Sequence, residues 1–265
     1  MPPPEFIASE YAAWGWTIVW EWPGLATTWR VEAPAAEAGA PPPVIFVKVV
    51  QSGHFPTALD EAARMRWARD HLPVPDVLAS GSDGHDDWIV TAALDGLDAT
   101  RHPLRAEPER LVPILARGLA AFHAAAPVET CPFDFRAGAA IAHATERVRN
   151  GIAKRTDLHP EHGQLTLEAA LRELEDLAPT VEDLVVCHGD YCFPNVLLDN
   201  DGTVTGYVDL GELAVADRWW DIAIGAWSTT WNIGPGYEEL FYESYGIEPD
   251  ARRIRFSRLL YDLSS

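Results

Sequence analysis

Residues 185–199, Val-Val-Cys-His-Gly-Asp-Tyr-Cys-Phe-Pro-Asn-Val-Leu-Leu-Asp, constrain this chain more than any other stretch. An apolar run feeds into His188-Gly189-Asp190, Asn195 follows, and a second apolar run begins at once. Further on, Gly206-Tyr207-Val208-Asp209-Leu210-Gly211 sets another carboxylate just past a strand-like run. Taken singly, Asp190 reads as a turn residue, Asn195 as a cap and Asp209 as a strand end. Taken together they supply what phosphoryl transfer requires, a base for the attacking hydroxyl and oxygen ligands for Mg²⁺. On this reading Asp190 accepts the proton, while Asn195 and Asp209 bind the metal. Mg²⁺ keeps several waters, so two protein ligands suffice. His188 is expected to shape the loop through backbone hydrogen bonds rather than to react.

The surrounding chain falls into two parts. Up to about residue 95 it alternates β-like runs with turns: residues 16–22 and 27–33 are rich in β-branched and aromatic residues, with Trp22-Pro23-Gly24 as a turn between them. Residues 34–43, Pro/Ala/Gly-rich, are expected as an exposed loop. Residues 44–50 and 88–94 read as buried strands, and 57–72 as a helix ended by Pro73 and Pro75. After residue 105 helical spacing dominates: 108–126 (its first turns disturbed by Pro113), 137–153, 164–178 and three helices beyond Asp217. The expected organisation is α+β and two-lobed, with an antiparallel, β-rich lobe at 1–95 that carries one helix and a mostly helical lobe at 96–265. A cleft between two lobes is a common ligand site.

Composition excludes several classes. The formal charge of −20 repels a phosphate backbone, which argues against nucleic-acid binding. The same charge could attract a cationic substrate or could simply keep the protein soluble. No apolar run reaches the roughly 18 residues of a membrane span, and the N-terminus lacks the pattern of a secretory signal. Three cysteines without paired spacing fit reduced thiols in a cytoplasmic protein. Nothing in the chain points beyond a monomer.

The motif His188-Gly189-Asp190 with Asn195, followed by GYVDLGELAVADRWWDIA at 206–223, resembles the aminoglycoside phosphotransferase family, which shares the protein-kinase fold. The similarity covers most of the chain and is strongest from Cys131 onward. It looks closest to the branch that phosphorylates the 3′-hydroxyl of kanamycin- and neomycin-like drugs, conferring resistance with ATP and Mg²⁺. Thr156-Asp157-Leu158, Glu161-His162 and the segment 256–260 also fit that branch. The resemblance gives a use to Lys48, whose burial in VIFVKVV would otherwise be costly. Lys48 would contact the ATP phosphates and pair with Glu61; the other reading leaves it on a solvent-facing strand edge. The resemblance further implies that Phe46 stacks on adenine, that backbone at Ala92 to Leu94 reads the base edge, and that Thr27 or Thr28 donates to a phosphate. A plain hairpin turn accounts equally well for those threonines. Asp217, Arg218 and Asp221 are expected to serve as ion pairs or caps.

Departures from the branch cluster on the acceptor side. Trp231 and Asn232 stand where two acidic residues are usual, Tyr261 replaces an Asp, Glu212 replaces an Arg, and the chain ends Ser264-Ser265 without the usual aromatic. Asp157 and Asp262, with Asp190, remain as ligands for substrate ammonium groups. Trp219, Trp220, Trp227 and Trp231 crowd the same region, and most are expected to pack in the core. An altered or narrowed drug preference follows. Two other functions compete: a kinase of this fold acting on another antibiotic or a metabolite alcohol, and an inactive kinase-like scaffold. The presence of Lys48, Glu61, Asp190, Asn195 and Asp209 together argues against the scaffold.

Overall fold

The computed structural model describes residues 2–34 and 43–264. Most of the loop expected at 34–43 lies outside the described residues, as does Ser265. The chain divides into two compact units. One runs to Asp95 and also includes Thr205–Glu212; the other comprises Gly96–Val204 and Leu213–Ser265. A single cut after residue 95 therefore does not capture the Asp209 segment.

The first unit is built from α1 (Glu5–Glu10), β1 (Gly15–Trp22), β2 (Ala26–Glu32), β3 (Val44–Gln51), α2 (Ala58–Ala68), β4 (Val77–Ser82) and β5 (Asp86–Ala92). The strands form one antiparallel sheet in the order β1-β2-β3-β5-β4. Because side chains alternate along a strand, β3 has two different faces. Ile45, Val47 and Val49 join Trp29, Val31 and Val90, with Ile7 of α1 against them. Phe46 and Lys48 point the other way, toward the side on which α2 packs. Helix α2 begins at a capping box: the Thr57 hydroxyl accepts the Asp60 amide at 3.0 Å, and Asp60 accepts the Thr57 amide at 3.1 Å. Two elements escape sequence reading. Helix α1 is a single short helix, and β4 (VLASGS) has little β propensity and gains its shape from pairing with β5.

The second unit contains β6 (Leu97–Asp98), α3 (Pro108–Ala125), α4 (Ala137–Arg149), α5 (Leu167–Leu177), β7 (Leu184–Cys187), β8 (Val196–Leu198), the start of β9 (Val204–Tyr207), β10 (Ala214–Asp217), α6 (Trp219–Asn232), α7 (Glu238–Tyr245) and α8 (Ala251–Ser264). Helix α3 continues unbroken through Pro113, contrary to the expected disturbance. The buried stripe Leu111, Leu115, Leu119 and Phe122 keeps it helical, since burial outweighs one missing hydrogen bond. Helices α4, α5 and α8 share a core with Val185, Cys187 and Trp220. Strands β7 and β10 pair antiparallel, with Val186 opposite Val215. That pairing delivers the chain from Cys187 straight into His188-Gly189-Asp190. Of the four tryptophans, Trp219, Trp220 and Trp227 are buried, whereas Trp231 is 40% exposed. Among the described residues no helix is long and apolar enough to cross a membrane.

Candidate active site

Two sets of functional side chains are built, one in each unit. In the first unit, Lys48 Nζ donates to Glu61 Oε2 at 2.8 Å and to Asp209 Oδ1 at 2.7 Å. Burial alone would lower the Lys48 pKa, but Asp209 and then Glu61 outweigh it and hold the ammonium above its ordinary range. Lys48 is therefore a paired, permanently charged group and not a solvent-facing edge lysine. Asp209 is the described non-glycine residue with positive φ, at 60°. An Asp tolerates this conformation better than most residues, yet it still costs about 1–2 kcal/mol, and such strain concentrates at functional positions.

The glycines flanking Asp209 are there for close approach. A Cβ on Gly206 would lie 2.4 Å from Leu94 Cδ1 and 2.9 Å from the Pro73 carbonyl oxygen; one on Gly211 would lie 2.7 Å from Pro56 Cγ. A larger residue at either place would push the Asp209 segment off the sheet unit that carries Lys48.

Strand register sorts the remaining nucleotide-side expectations. Thr28 stands directly opposite Lys48, while Thr27 stands opposite Val49 and is fully buried on the other face. Only Thr28 shares the lysine's face. Phe46, two residues from Lys48 on β3, lies on that face as well. The amides of Ala92 and Ala93 donate to Asp76 O at 2.9 Å and Val44 O at 3.1 Å. Leu94 packs on the Gly206 backbone.

In the second unit, Asp190 is held from three directions. Asn195 Nδ2 donates to Asp190 Oδ2 and to its backbone oxygen, both at 2.9 Å. The Cys192 thiol donates to Oδ1 at 3.0 Å, and Tyr261 Oη donates to the same atom at 3.1 Å. Burial, then the nearby Asp190 charge, pushes the Cys192 pKa up, so it stays a protonated donor. With Asn195 Nδ2 turned toward Asp190, the amide oxygen is the atom that a cation would take.

The loop itself is shaped from beneath. Asp221, fully buried on α6, accepts the His188 amide at 2.6 Å and the Gly189 amide at 3.0 Å, and meets His123 Nε2 at 3.0 Å. Gly189 has φ +96°, a left-handed conformation that suits glycine. His188 is sealed inside, and its Nδ1 accepts the Asp190 amide at 3.3 Å. Asp217 caps α6 by accepting the Trp219 amide and pairs with Arg253; Arg218 pairs with Asp183 at 2.6 Å. Sequence reading treated Asp221 as a generic ion pair. Its link to the loop was not legible, because 32 residues separate it from Gly189.

The acceptor-side expectations are mixed. Asp262 is almost wholly inside: Oδ2 accepts the His159 amide at 2.8 Å and lies 2.6 Å from His162 Nδ1. Its carboxylate is committed to tying the 159–162 turn to α8, which leaves little of it for a substrate ammonium group. Asp157 ends a short 3₁₀ turn, Arg155–Asp157, and its side chain lies outside the described residues. Asn232 folds back, its Nδ2 donating to Ser228 O and Oγ at 2.9 Å. Tyr261, a departure noted in the sequence, proves to be a direct partner of Asp190.

A strand lysine paired with a helix glutamate, a metal-type aspartate after a short strand, and a buried His-Gly-Asp loop with its Asn define a phosphotransferase of the protein-kinase-like fold. The family model described as "Phosphotransferase enzyme family" matches residues 26–256, and the chain belongs to that family. The chain is similar to an aminoglycoside 3′-phosphotransferase of Streptomyces fradiae, 39% identical over 232 residues that span 83% of this chain and 85% of that protein. Among solved structures, an aminoglycoside-3′-phosphotransferase of type VIII superposes with a TM-score of 0.87 at 30% identity, covering 98% of this chain and 97% of the other. An aminoglycoside phosphotransferase of Streptomyces rimosus in complex with ADP and streptomycin shares the fold, with a TM-score of 0.77 at 24% identity over 98% of each chain. The α+β, kinase-like architecture expected from the sequence is borne out.

Proposed function

We propose that the protein transfers the γ-phosphoryl group of ATP to a hydroxyl of an aminoglycoside, the 3′-hydroxyl of kanamycin- and neomycin-like drugs being the leading acceptor, and so confers resistance. The observation that carries this reading is the Asp190 carboxylate, gripped by Asn195, Cys192 and Tyr261, in a chain whose relatives carry that activity in their names. Asp190 accepts the hydroxyl proton as the new O–P bond forms and the β–γ bridge breaks to release ADP. Lys48, kept charged and oriented by Glu61, takes the α/β-phosphates. Phe46 stacks on adenine, and the Ala92 carbonyl with the Leu94 amide reads the base edge, since the Ala92 and Ala93 amides are bonded internally. Thr28 is the better of the two threonines for a phosphate, because it shares the face of Lys48.

Asp209 offers a carboxylate and Asn195 an amide oxygen, hard donors of the kind Mg²⁺ takes. Bound Mg²⁺ would offset phosphate charge. The reaction would run in the cytoplasm, where ATP is supplied, with the protein acting as a monomer.

The test is to incubate the protein with ATP, Mg²⁺ and a panel of aminoglycosides that includes kanamycin and neomycin, and to look for a phosphate-sized mass increment on the drug. An increment that disappears with Asp190→Ala supports the proposal. A panel left unmodified by a protein that still binds ATP would refute the acceptor and leave a kinase for another alcohol.

A further inference from the structure

We infer that the acceptor is received on an aromatic shelf formed by Trp231 and Tyr261 beside Asp190, and that recognition there rests on stacking against a weakly charged sugar face and little on pairing with ammonium groups. This deepens the function proposed above and rests on it.

The shelf is joined directly to the base. Tyr261 donates its hydroxyl to Asp190 Oδ1 at 3.1 Å, so its ring belongs to the wall on which the reacting hydroxyl must arrive. Trp231 stacks on that ring, with centroids 6.0 Å apart and planes 30° apart. Beneath them Trp227 lies 4.9 Å from Trp231 and is 2% exposed, which fixes the outer ring from behind. Trp231 keeps 40% of its surface open. An exposed indole on a rigid aromatic base, contiguous with a catalytic carboxylate, is a stacking platform.

Among the described residues, four carboxylates on the neighbouring elements are already committed. Helix α6 carries Asp221, which serves His123 and the loop amides. Helix α8 carries Asp262, which serves His162. In the 158–162 turn, Glu161 lies 3.5 Å from Arg258 and 3.9 Å from Arg255. Glu238, at the start of α7, also pairs with Arg258. Arg258 in turn sits 5.0 Å over the Trp227 ring, so the aromatic stack is backed by a cation. An incoming ammonium group would have to compete for one of these described pairs or meet the face of Trp231, where an exposed cation–π contact is weak and does not depend on a carboxylate. The overall charge of −20 enriches cations around the protein, but over distances beyond about 8 Å at physiological salt it does not select among them.

The measurement is steady-state phosphorylation of neomycin and of paromomycin, which carries a hydroxyl in place of one neomycin amine. It is made from about 50 to about 300 mM NaCl, a range that screens exposed ion pairs strongly. Wild type, Trp231→Ala, Trp231→Phe and Trp231→Glu are compared, with melting temperatures confirming folding. For the wild type, KM should change by less than about threefold across the salt range, and paromomycin should be used at least as well as neomycin. Trp231→Ala should raise KM by about fivefold, corresponding to about 1 kcal/mol of lost stacking, with kcat little changed; Trp231→Phe should recover most of it. Trp231→Glu should make KM steeply salt-dependent and favour neomycin. A wild-type KM that already climbs steeply with salt, or a Trp231→Ala KM equal to the wild type, would overturn the shelf while leaving the aminoglycoside assignment intact. Absence of turnover with either drug by a protein that binds ATP would overturn both.

Discussion

Lys48 Nζ donates to Glu61 Oε2 over 2.8 Å, and the glutamate that receives it has a side chain only 5% exposed. A carboxylate so enclosed is held there by its cation, and breaking a buried pair from one side leaves an uncompensated charge. Glu61→Gln keeps the shape and removes the charge. The expected outcome is a rise of roughly tenfold in the ATP KM, about 1.4 kcal/mol, with a smaller change in the acceptor KM. Kinetics with each substrate varied in turn will check it.

The same ammonium sets a pH expectation. The folded-state pKa of Lys48 is raised above its ordinary 10.5. Its stabilising contribution is therefore fully present below that ordinary value and is lost only as the pH climbs through the higher folded one. Between about pH 6 and about pH 9, ATP affinity should show no inflection from Lys48. An ATP titration series across that range, run beside Lys48→Arg, tests the point. An inflection in the wild type that Lys48→Arg abolishes would contradict it.

Asp190→Asn should largely preserve the loop, since an amide oxygen in the Oδ2 position still accepts from Asn195 and the NH2 in the Oδ1 position can donate to the Tyr261 hydroxyl. Turnover should fall by about 10²–10⁴, the usual contribution of a positioned general base, while ATP affinity stays within about threefold of wild type. Single-turnover assays combined with a nucleotide-binding titration separate the two effects.

Asp221→Ala would orphan the buried amides of His188 and Gly189. Each unsatisfied group costs about 1–3 kcal/mol, so the melting temperature and kcat should fall together. Asp221→Asn, which retains an acceptor oxygen, should recover part of both.

Gly225 in α6 is a packing glycine. A Cβ there would lie 2.7 Å from Phe241 Cζ and 3.2 Å from Tyr191 Cδ1. Gly225→Ala should destabilise the protein by about 1–3 kcal/mol, although alanine is the better helix former. Combining it with Phe241→Leu should return part of the loss, as denaturant unfolding can show.

Much of the proposed nucleotide and phosphate-transfer set was legible in the chain because its members are local. Asp190 and Asn195 lie on one loop, Asp209 follows its own strand, and Lys48 is conspicuous in an apolar run. Residue type and spacing pointed to the chemistry of Asp190, Asn195 and Asp209, whereas a use for Lys48 came from the resemblance. The continuous apolar run VIFVKVV likewise marked a strand with one lysine in it, although the structure buries the Ile45, Val47 and Val49 face and leaves the Phe46 and Lys48 face half-buried.

What the chain order could not convey is which distant side chains complete those local sets. Thr27 and Thr28 are adjacent and equivalent as letters; only strand register puts one beside Lys48 and the other in the core. Asp262 looked available to a ligand until the fold gave it His162 as a partner. Tyr261 is separated from Asp190 by 71 residues and Asp221 from His188 by 33, and both contacts arise because α8 and α6 bury their apolar faces against the strands that carry the loop. Hydrophobic burial is non-directional and sums over whole faces, so it selects the packing as a unit. The polar pairs that finish the site are then set by that packing, and sequence separation holds no trace of them.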